Sequence, residues 1–446
     1  MSAPKKSRKS IMEYMDANLR LRLARRCPEL RAAEKAAPLY IKSLVVNPLG
    51  LIVNGVEYRL GLYRHYHNTQ DLTNYIREQN DAGGAQEDQD EYGIPDYLDQ
   101  NELFPGDIEL EPLEEMPEKD DEAQRVELEQ QLAENSRIMN DCFEEFSRHR
   151  KYGEKLRMPL ADLERLYNSK QELVFKLKSE LFPYYYKKNN SEVPFTQFIQ
   201  LSISGLPIER VEYTQSIHEA EKSLISSIFE GRAHPIKVKF LDIGRDLMIL
   251  RAPEGLKLKV SELKVTGNFN KKIDRLLPIL HESSFPLEVF HTDGFTKMYH
   301  HKAAKTARKI RITDYFRYPD IYELSQNFTN EEVILRFRYI SVSALMEVAQ
   351  GCMSTGMNKI LSVEVPKENI IKGFFNCMNK QFKGVEAGER YLLVPVDDDD
   401  WIKISYESFE NTEGELEWKV RFGSGDMDQS DDIRQKRNSG SGWSNF

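Results

Sequence analysis

The apolar positions of the first ninety residues change period once, from helical to alternating. Ile11, Met12 and Met15 share one helical face, and Asp16 then suits the N-cap of a second helix through Arg26, with Leu19 and Leu23 one turn apart. Cys27-Pro28 interrupts that run, and Pro28 fits the first turn of a third helix, ELRAAEKAA, ended by Pro38. After Pro38 the period drops to two. IKSLVV alternates, NPLG turns, and LIVNGVEYRL predicts a hairpin in which Asn54-Gly55 supplies the left-handed residues of a type I′ turn. The three helices make either a small docking unit, with Ile11, Met12, Met15, Leu19 and Leu23 as its candidate face, or an ordinary helical cap on the next domain. Pattern alone does not choose between them.

Residues 68–124 turn polar, acidic and proline-punctuated, a long ordered loop that fades into a linker near PLEEMPEKDDE. Two long helices are predicted next. Leu128, Leu132, Asn135, Met139, Phe143 and Phe146 form a short heptad seam with one polar member, and Leu163, Leu166, Leu173, Leu177 and Leu181 form its counterpart. With KYGEKLRMP as the turn, this is an antiparallel helical hairpin; an intermolecular coiled coil is the competing reading.

From Pro194 strands and helices alternate. FIQLSIS and IERVEY read as strands and HEAEKSLISSIF as an amphipathic helix. A weak repetition comes next in FLDIG (240–244), LKVTG (263–267), FHTDG (290–294) and IRITD (310–314), each a short strand closed by a turn residue. Irregular leucine-rich-like arrays have this form, since each unit needs a neighbour to bury its open face, although no asparagine ladder accompanies it. VSALMEVAQGCM and IIKGFFNCMNKQF then read as helices, and KILSVEV, RYLLVPV, WIKISYE and LEWKVRF as strands.

The chain is therefore expected to be α+β. A basic tail (1–9) precedes a helical and hairpin domain (10–110). Then come an acidic linker with a helical hairpin (111–190), a strand–helix repeat-like domain (191–422) and a polar, disordered tail (423–446).

Composition narrows the function classes. At 446 residues, 40% of them apolar, with 22 Phe and 21 Tyr, the chain supplies enough apolar surface for a sizeable core, which argues against wholesale disorder. A net charge of −10, concentrated between Glu87 and Glu134, argues against nucleic-acid binding. Cys27, Cys142, Cys352 and Cys377 lie far apart with no CxxC pair, as expected of reduced thiols in the cytoplasm or nucleus. MSAPKKSRKS lacks the apolar core of a signal peptide, though KKSRK has the composition of a nuclear address, and no apolar run is long enough to span a membrane.

Candidate chemistry is thin. DQDEYGIPDYLD (88–99) partly matches a calcium loop, with Asp88, Asp90, Gly93 and Asp99 at ligand or turn positions. Tyr92, the closing aspartate and Pro95 favour an Asx-type turn instead. His291, Asp293, His300 and His301 cluster without the spacing of any known metal motif. HHKAAKTARKIR (300–311) is a solvated basic face or a patch for phosphate or an acidic partner. Cys27 beside Arg25 and Arg26 lacks the His/Asn partner pattern of a catalytic thiol, and Asp397–Asp400 reads as a charged hairpin tip. No phosphate-binding glycine loop, nucleophile elbow or kinase signature is present, so no catalytic residue, cofactor or metal is expected, and the chain is read as a non-enzyme.

Several stretches carry a resemblance: MEYMDANLRLRLARRCPELRAAEKAAPLYI, VNGVEYRLGLYRHYH, GGAQEDQDEYG, PGDIELEP, LFPYYYKKNN and ILHESSFPLEVFHTDG. Together they resemble the nematode-expanded F-box C-type proteins with their domain of unknown function. That resemblance implies company rather than chemistry. The N-terminal helices would dock on the small adaptor of a cullin-based ubiquitin ligase through Ile11, Met12, Met15, Leu19 and Leu23, and the C-terminal domain would bind a protein substrate. The chain departs from the usual F-box at its opening, where SRKS stands in place of an LPxE-type motif, and at RRCPELR in its third helix.

Overall fold

The computed structural model describes residues 11–97, 101–113, 120–267, 269–292, 301–314, 329–337, 339–355, 360–396, 400–410 and 416–424. The basic tail, most of the acidic linker, the tip at 397–399 and the tail from 425 lie outside them. The fold is α+β. It divides into two compact units, Met1–Pro235 with Asp246–Leu256, and Ile236–Arg245 with Lys257–Phe446.

In the first unit Asp16 caps α1 (Ala17–Arg26) through the amides of Asn18 and Leu19, and Pro28 opens α2 (Pro28–Ala36). The strands β1 (Tyr40–Asn47), β2 (Gly50–Val53) and β3 (Val56–Tyr66) come next, and β2 and β3 are joined by Asn54 and Gly55 at φ 48° and 81°. The expected type I′ hairpin is present. Asn54 also accepts from the amides of Lys42 and Ser43, which ties the turn to β1.

Helix α3 (Asn74–Asp81) then precedes the glycine turn, and α4 (Asp121–Tyr152) and α5 (Leu160–Lys188) form an antiparallel hairpin within the chain. Its polar seam residue, Asn135, accepts from Lys170 Nζ at 2.8 Å, while Tyr167 packs against Phe146. Phe143 lies at the edge of the seam, exposed but with its ring still 6.5 Å from that of Tyr167.

Residues 191–235, which the sequence pattern groups with the strand–helix repeats, belong instead to this first unit. Strand β4 (Phe195–Ile203) pairs antiparallel with β3, and β5 (Glu209–Glu212) pairs with β4. Helix α6 (Ile217–Phe229), held by a Ser216/Glu219 capping box, lays Ile217 and Ala220 on Leu49, Leu60, Leu62, Ala85 and Ile199.

The glycine turn crosses this core at close range. Ala85 exchanges both backbone hydrogen bonds with Leu62 at 2.8 Å, and Gly84 just before it holds φ +96°. A Cβ on Gly84 would lie 2.5 Å from the Leu62 carbonyl oxygen and 2.7 Å from its carbon, both rigid backbone. Gly84→Ala is therefore expected to destabilise the unit by on the order of 2–3 kcal/mol, read as a lower urea midpoint; an unchanged midpoint would contradict this close approach.

In the second unit the weak repetition becomes a parallel ladder in chain order. It consists of β6 (Ile236–Ile243), β7 (Leu258–Val265), β8 (Val289–Thr292), β9 (Lys309–Asp314), β10 (Glu332–Phe337) and β11 (Ile360–Val365). Helices α7 (Phe269–Leu276), α8 (Lys302–Thr306) and α9 (Val342–Thr355) fall between successive strands, and α10 (Glu368–Gln381) comes after β11. The strands β12 (Tyr391–Pro395), β13 (Trp401–Glu410) and β14 (Leu416–Ser424) continue the sheet antiparallel, with β14 against β11.

One register row is buried throughout: Leu241, Leu263, Phe290, Ile310, Val333, Leu361, Phe422, Ile404 and Leu392. The first repeat therefore begins at Leu241, not Phe240. A slip of one residue would turn every side chain to the other face. Strand β10, absent from the repetition, joins the same row. In place of an asparagine ladder, the buried Asn330 donates to the carbonyls of Ala304 and Ala307, and Ser284 bridges Val260 and Leu258.

Candidate protein-interaction face

Helix α1 is amphipathic about an unusual inner face. Ala17, Leu21 and Ala24 are buried beside two polar residues, Asn18 and Arg20. Asn18 donates to the Val53 carbonyl at 2.8 Å and accepts from the Tyr58 hydroxyl, which seats α1 on the hairpin. Arg20 donates to Pro38 and Ala37 carbonyls at 2.6 and 3.1 Å, and it pairs with Glu34 at 3.1 Å. Glu34 also takes both Nη atoms of Arg232, at 3.0 and 3.1 Å. One fully buried carboxylate thus joins α1, α2 and the segment after α6.

The outer face carries most of the sequence-predicted residues. Ile11 and Leu19 are 60% and 41% exposed, Met15 and Leu23 are half-buried, and Tyr14, three residues after Ile11, is 92% exposed. Ile11 and Met15 precede the break at Asp16, and Leu19 and Leu23 lie one turn apart on α1 after it, so the outward apolar side chains form two short patches on either side of that joint. Met12 is the correction. It is buried at 4% and turns inward, because one residue along a helix rotates the side chain by more than a quarter turn, away from Ile11.

Beside the inner face of α1 lies a groove of about 430 Å³. Tyr58, Ile203, Leu206 and Leu224 form its apolar part, and Arg22, Arg25, Arg31 and Lys35 its basic part. Arg25 pairs with Glu209, whereas Arg31 and Lys35 donate to carbonyls, Lys35 to Ser227 and Ile228 at the end of α6. Burial, reinforced by Arg232, pulls the Lys35 pKa down to about 8.

The other candidates resolve into structural roles. Asp90 Oδ1 accepts from the amides of Tyr92 and Ile94, an Asx turn between the paired residues Asp88–Gln89 and Pro95–Asp96. Asp88 accepts from the Tyr213 hydroxyl and the Ile217 amide. Asp99 lies outside the described residues, as do Asp293 and His300. His291 sits 3.4 Å from Glu262, with burial holding its pKa below the usual value, whereas His301 caps α8 through the Ala303 amide. The end of the basic run is taken up by ion pairs, Arg308 with Glu288 and Glu331, Lys309 with Glu332, and Arg311 with Glu364, while Lys302 and Lys305 are exposed. Among the described residues no cluster of three or more His, Cys, Asp or Glu could hold a metal, and no helix is long and apolar enough to cross a membrane.

Sequence reasoning missed Arg64. It lies on β3 in the alternating series Tyr58, Leu60, Leu62, Arg64, which the period places on the inner face. Alternation is the signal that places it there, although the residue is charged.

A family profile described as a domain of unknown function, DUF3557, matches residues 216–360, about a third of the chain. The matched stretch runs from the N-cap of α6 to the first residue of β11. No curated protein and no solved structure matches the chain.

Proposed function

We propose that the chain is a non-enzymatic protein-interaction protein that, as its resemblance to the F-box C-type family implies, serves as the substrate-recognition subunit of a cullin-based ubiquitin ligase inside the cell, in cytoplasm or nucleus. The observation that carries this reading is the exposure of Ile11 and Leu19, each one turn from the half-buried Met15 or Leu23, on helices whose opposite side is locked to the hairpin. Helix-in-groove docking uses anchors at this spacing, and fully burying one such side chain contributes about 1.5–3 kcal/mol. The strand–helix unit would then present the substrate. A second reading, a binding scaffold with no ligase role, draws on the inward turn of Met12 and on the short reach of two patches parted at Asp16.

A pulldown from cell extract separates the two. The wild-type chain is expected to bring down the ligase adaptor and its cullin, and Ile11→Asp/Leu19→Asp to lose both. Because the two positions are exposed, the variant should keep its stability to within about 0.5 kcal/mol. If the wild-type chain retrieves neither component, the ligase reading fails and the scaffold reading stands.

A further inference from the structure

A second cavity of the first unit, of about 310 Å³, lies among α3, α4, α5 and the glycine turn. One of its walls is Arg64, 6% exposed, 5.4 Å from the ring of Phe195 and close to Gly93, which adjoins both side chains. Nε donates to Gln89 Oε1 at 3.0 Å and Nη2 to the Gly93 carbonyl at 2.7 Å. Those bonds explain how the glycine turn is clamped, but they leave the charge itself without a counter-ion. Among the described residues no carboxylate forms an ion pair with Arg64.

Glu87 lines the same cavity, half-buried, with neither a hydrogen-bond partner nor an ion pair among the described residues. Glu180 lines the wall beyond it, accepting from the Tyr75 hydroxyl at 3.4 Å, and Tyr97 and Tyr184 add aromatic surface. Burial raises the Glu87 pKa and lowers that of Arg64, so each charge is held at a cost that direct pairing would relieve. The two lie close enough to influence each other, yet do not meet.

We propose that this cavity binds a free α-amino acid, its carboxylate on Arg64 and its ammonium on Glu87, with Tyr75, Tyr97 and Tyr184 around the rest. Charge selects this class. A simple anion placed at Arg64 would face Glu87 and Glu180, and a simple cation placed at Glu87 would face Arg64. A zwitterion satisfies both ends. The volume sits at the lower end of small-molecule sites, which suits a metabolite of this size. The site is independent of the docking face, so either proposal can fail without the other.

The test uses the purified full-length chain. Its unfolding temperature is measured with each standard L-amino acid, with acetate as carboxylate alone and with methylammonium as amine alone. At least one amino acid is expected to raise the transition and to bind saturably by calorimetry, while the two half-ligands do not. Glu87→Gln should weaken that binding about tenfold or more while leaving the ligand-free unfolding temperature close to that of the wild type, and Arg64→Lys should weaken it as well. The proposal is overturned if no amino acid binds, if methylammonium or acetate binds as tightly as the amino acid, or if Glu87→Gln leaves the affinity unchanged.

Discussion

Glu34→Gln is expected to destabilise the first unit by about 3–5 kcal/mol, the largest effect of any single substitution considered. Glu34 has no exposed surface and is, among the described residues, the only carboxylate shared by Arg20 and Arg232, whose side chains are 2% and 4% exposed. Glutamine keeps the shape but removes the charge, leaving two buried guanidinium groups facing each other. Burial already outweighs the help of Glu34 and holds the Arg20 pKa below its ordinary value. The pair is therefore not a reservoir of stability, but breaking it from the carboxylate side is costly. The loss should be local first. Amides of α1 and α2 should lose hydrogen-exchange protection before those of the sheet, because Arg20 also holds the Ala37 and Pro38 carbonyls where α2 ends. Arg25→Ala, at a partly exposed pair with Glu209, is expected to cost at most about 1 kcal/mol, and a comparable loss there would contradict the ranking.

The second large effect is a dependence on pH. Glu221 lies on the inner side of α6, 4% exposed, accepting from the amides of Leu49 and Gly50. Burial, against the opposing charge of Arg251, pushes its pKa up to about 8. The folded chain therefore keeps a proton that the unfolded chain releases above about pH 4.5, and stability falls with rising pH until the folded group ionises near 8. His218 acts in the opposite sense. Burial lowers its pKa to about 4, so its contribution is complete above about pH 6.5 and is lost as the pH falls through 4. Between about pH 6.5 and 8 the Glu221 slope is unopposed by His218 and approaches 1.4 kcal/mol per pH unit. Glu221→Gln keeps the acceptor for Leu49 and Gly50 and should flatten that slope, leaving the variant more stable than the wild type at about pH 8 by on the order of a few kcal/mol. Urea unfolding of both chains near pH 6 and pH 8 checks this. Parallel losses would mean that Glu221 is already ionised in the folded chain.

The residues that were legible in the sequence are those whose role is local. Asn54-Gly55 dictates its own turn, Asp16 its own cap and Pro28 its own helix start, and each stands where its neighbours alone require it. The helical hairpin and the repeated strands were legible through their periods. What escaped depends on partners distant in sequence. Alternation places Arg64 on the inner face of β3, but the groups that make this position tolerable, Gln89 and Gly93, come from the glycine turn, which is fixed only in the fold. Arg20 is likewise hidden in an outwardly basic helix, because Glu34 and the α2 carbonyls are what draw it in. The register of the repeats failed by one position for a related reason. Phe240 and Leu241 are both apolar, and only pairing with Leu263 shows which of them faces the core. At the candidate face the spacing of Ile11, Met15, Leu19 and Leu23 was readable, while Met12 turned inward.

The proposed docking of the ligase adaptor on Ile11, Met15, Leu19 and Leu23 is tested by titrating the purified adaptor into the purified full-length chain. A saturable one-to-one complex is expected, which Ile11→Asp/Leu19→Asp abolishes and Glu87→Gln leaves intact. A wild-type chain that does not bind the adaptor, or a double variant that binds it equally well, would contradict it.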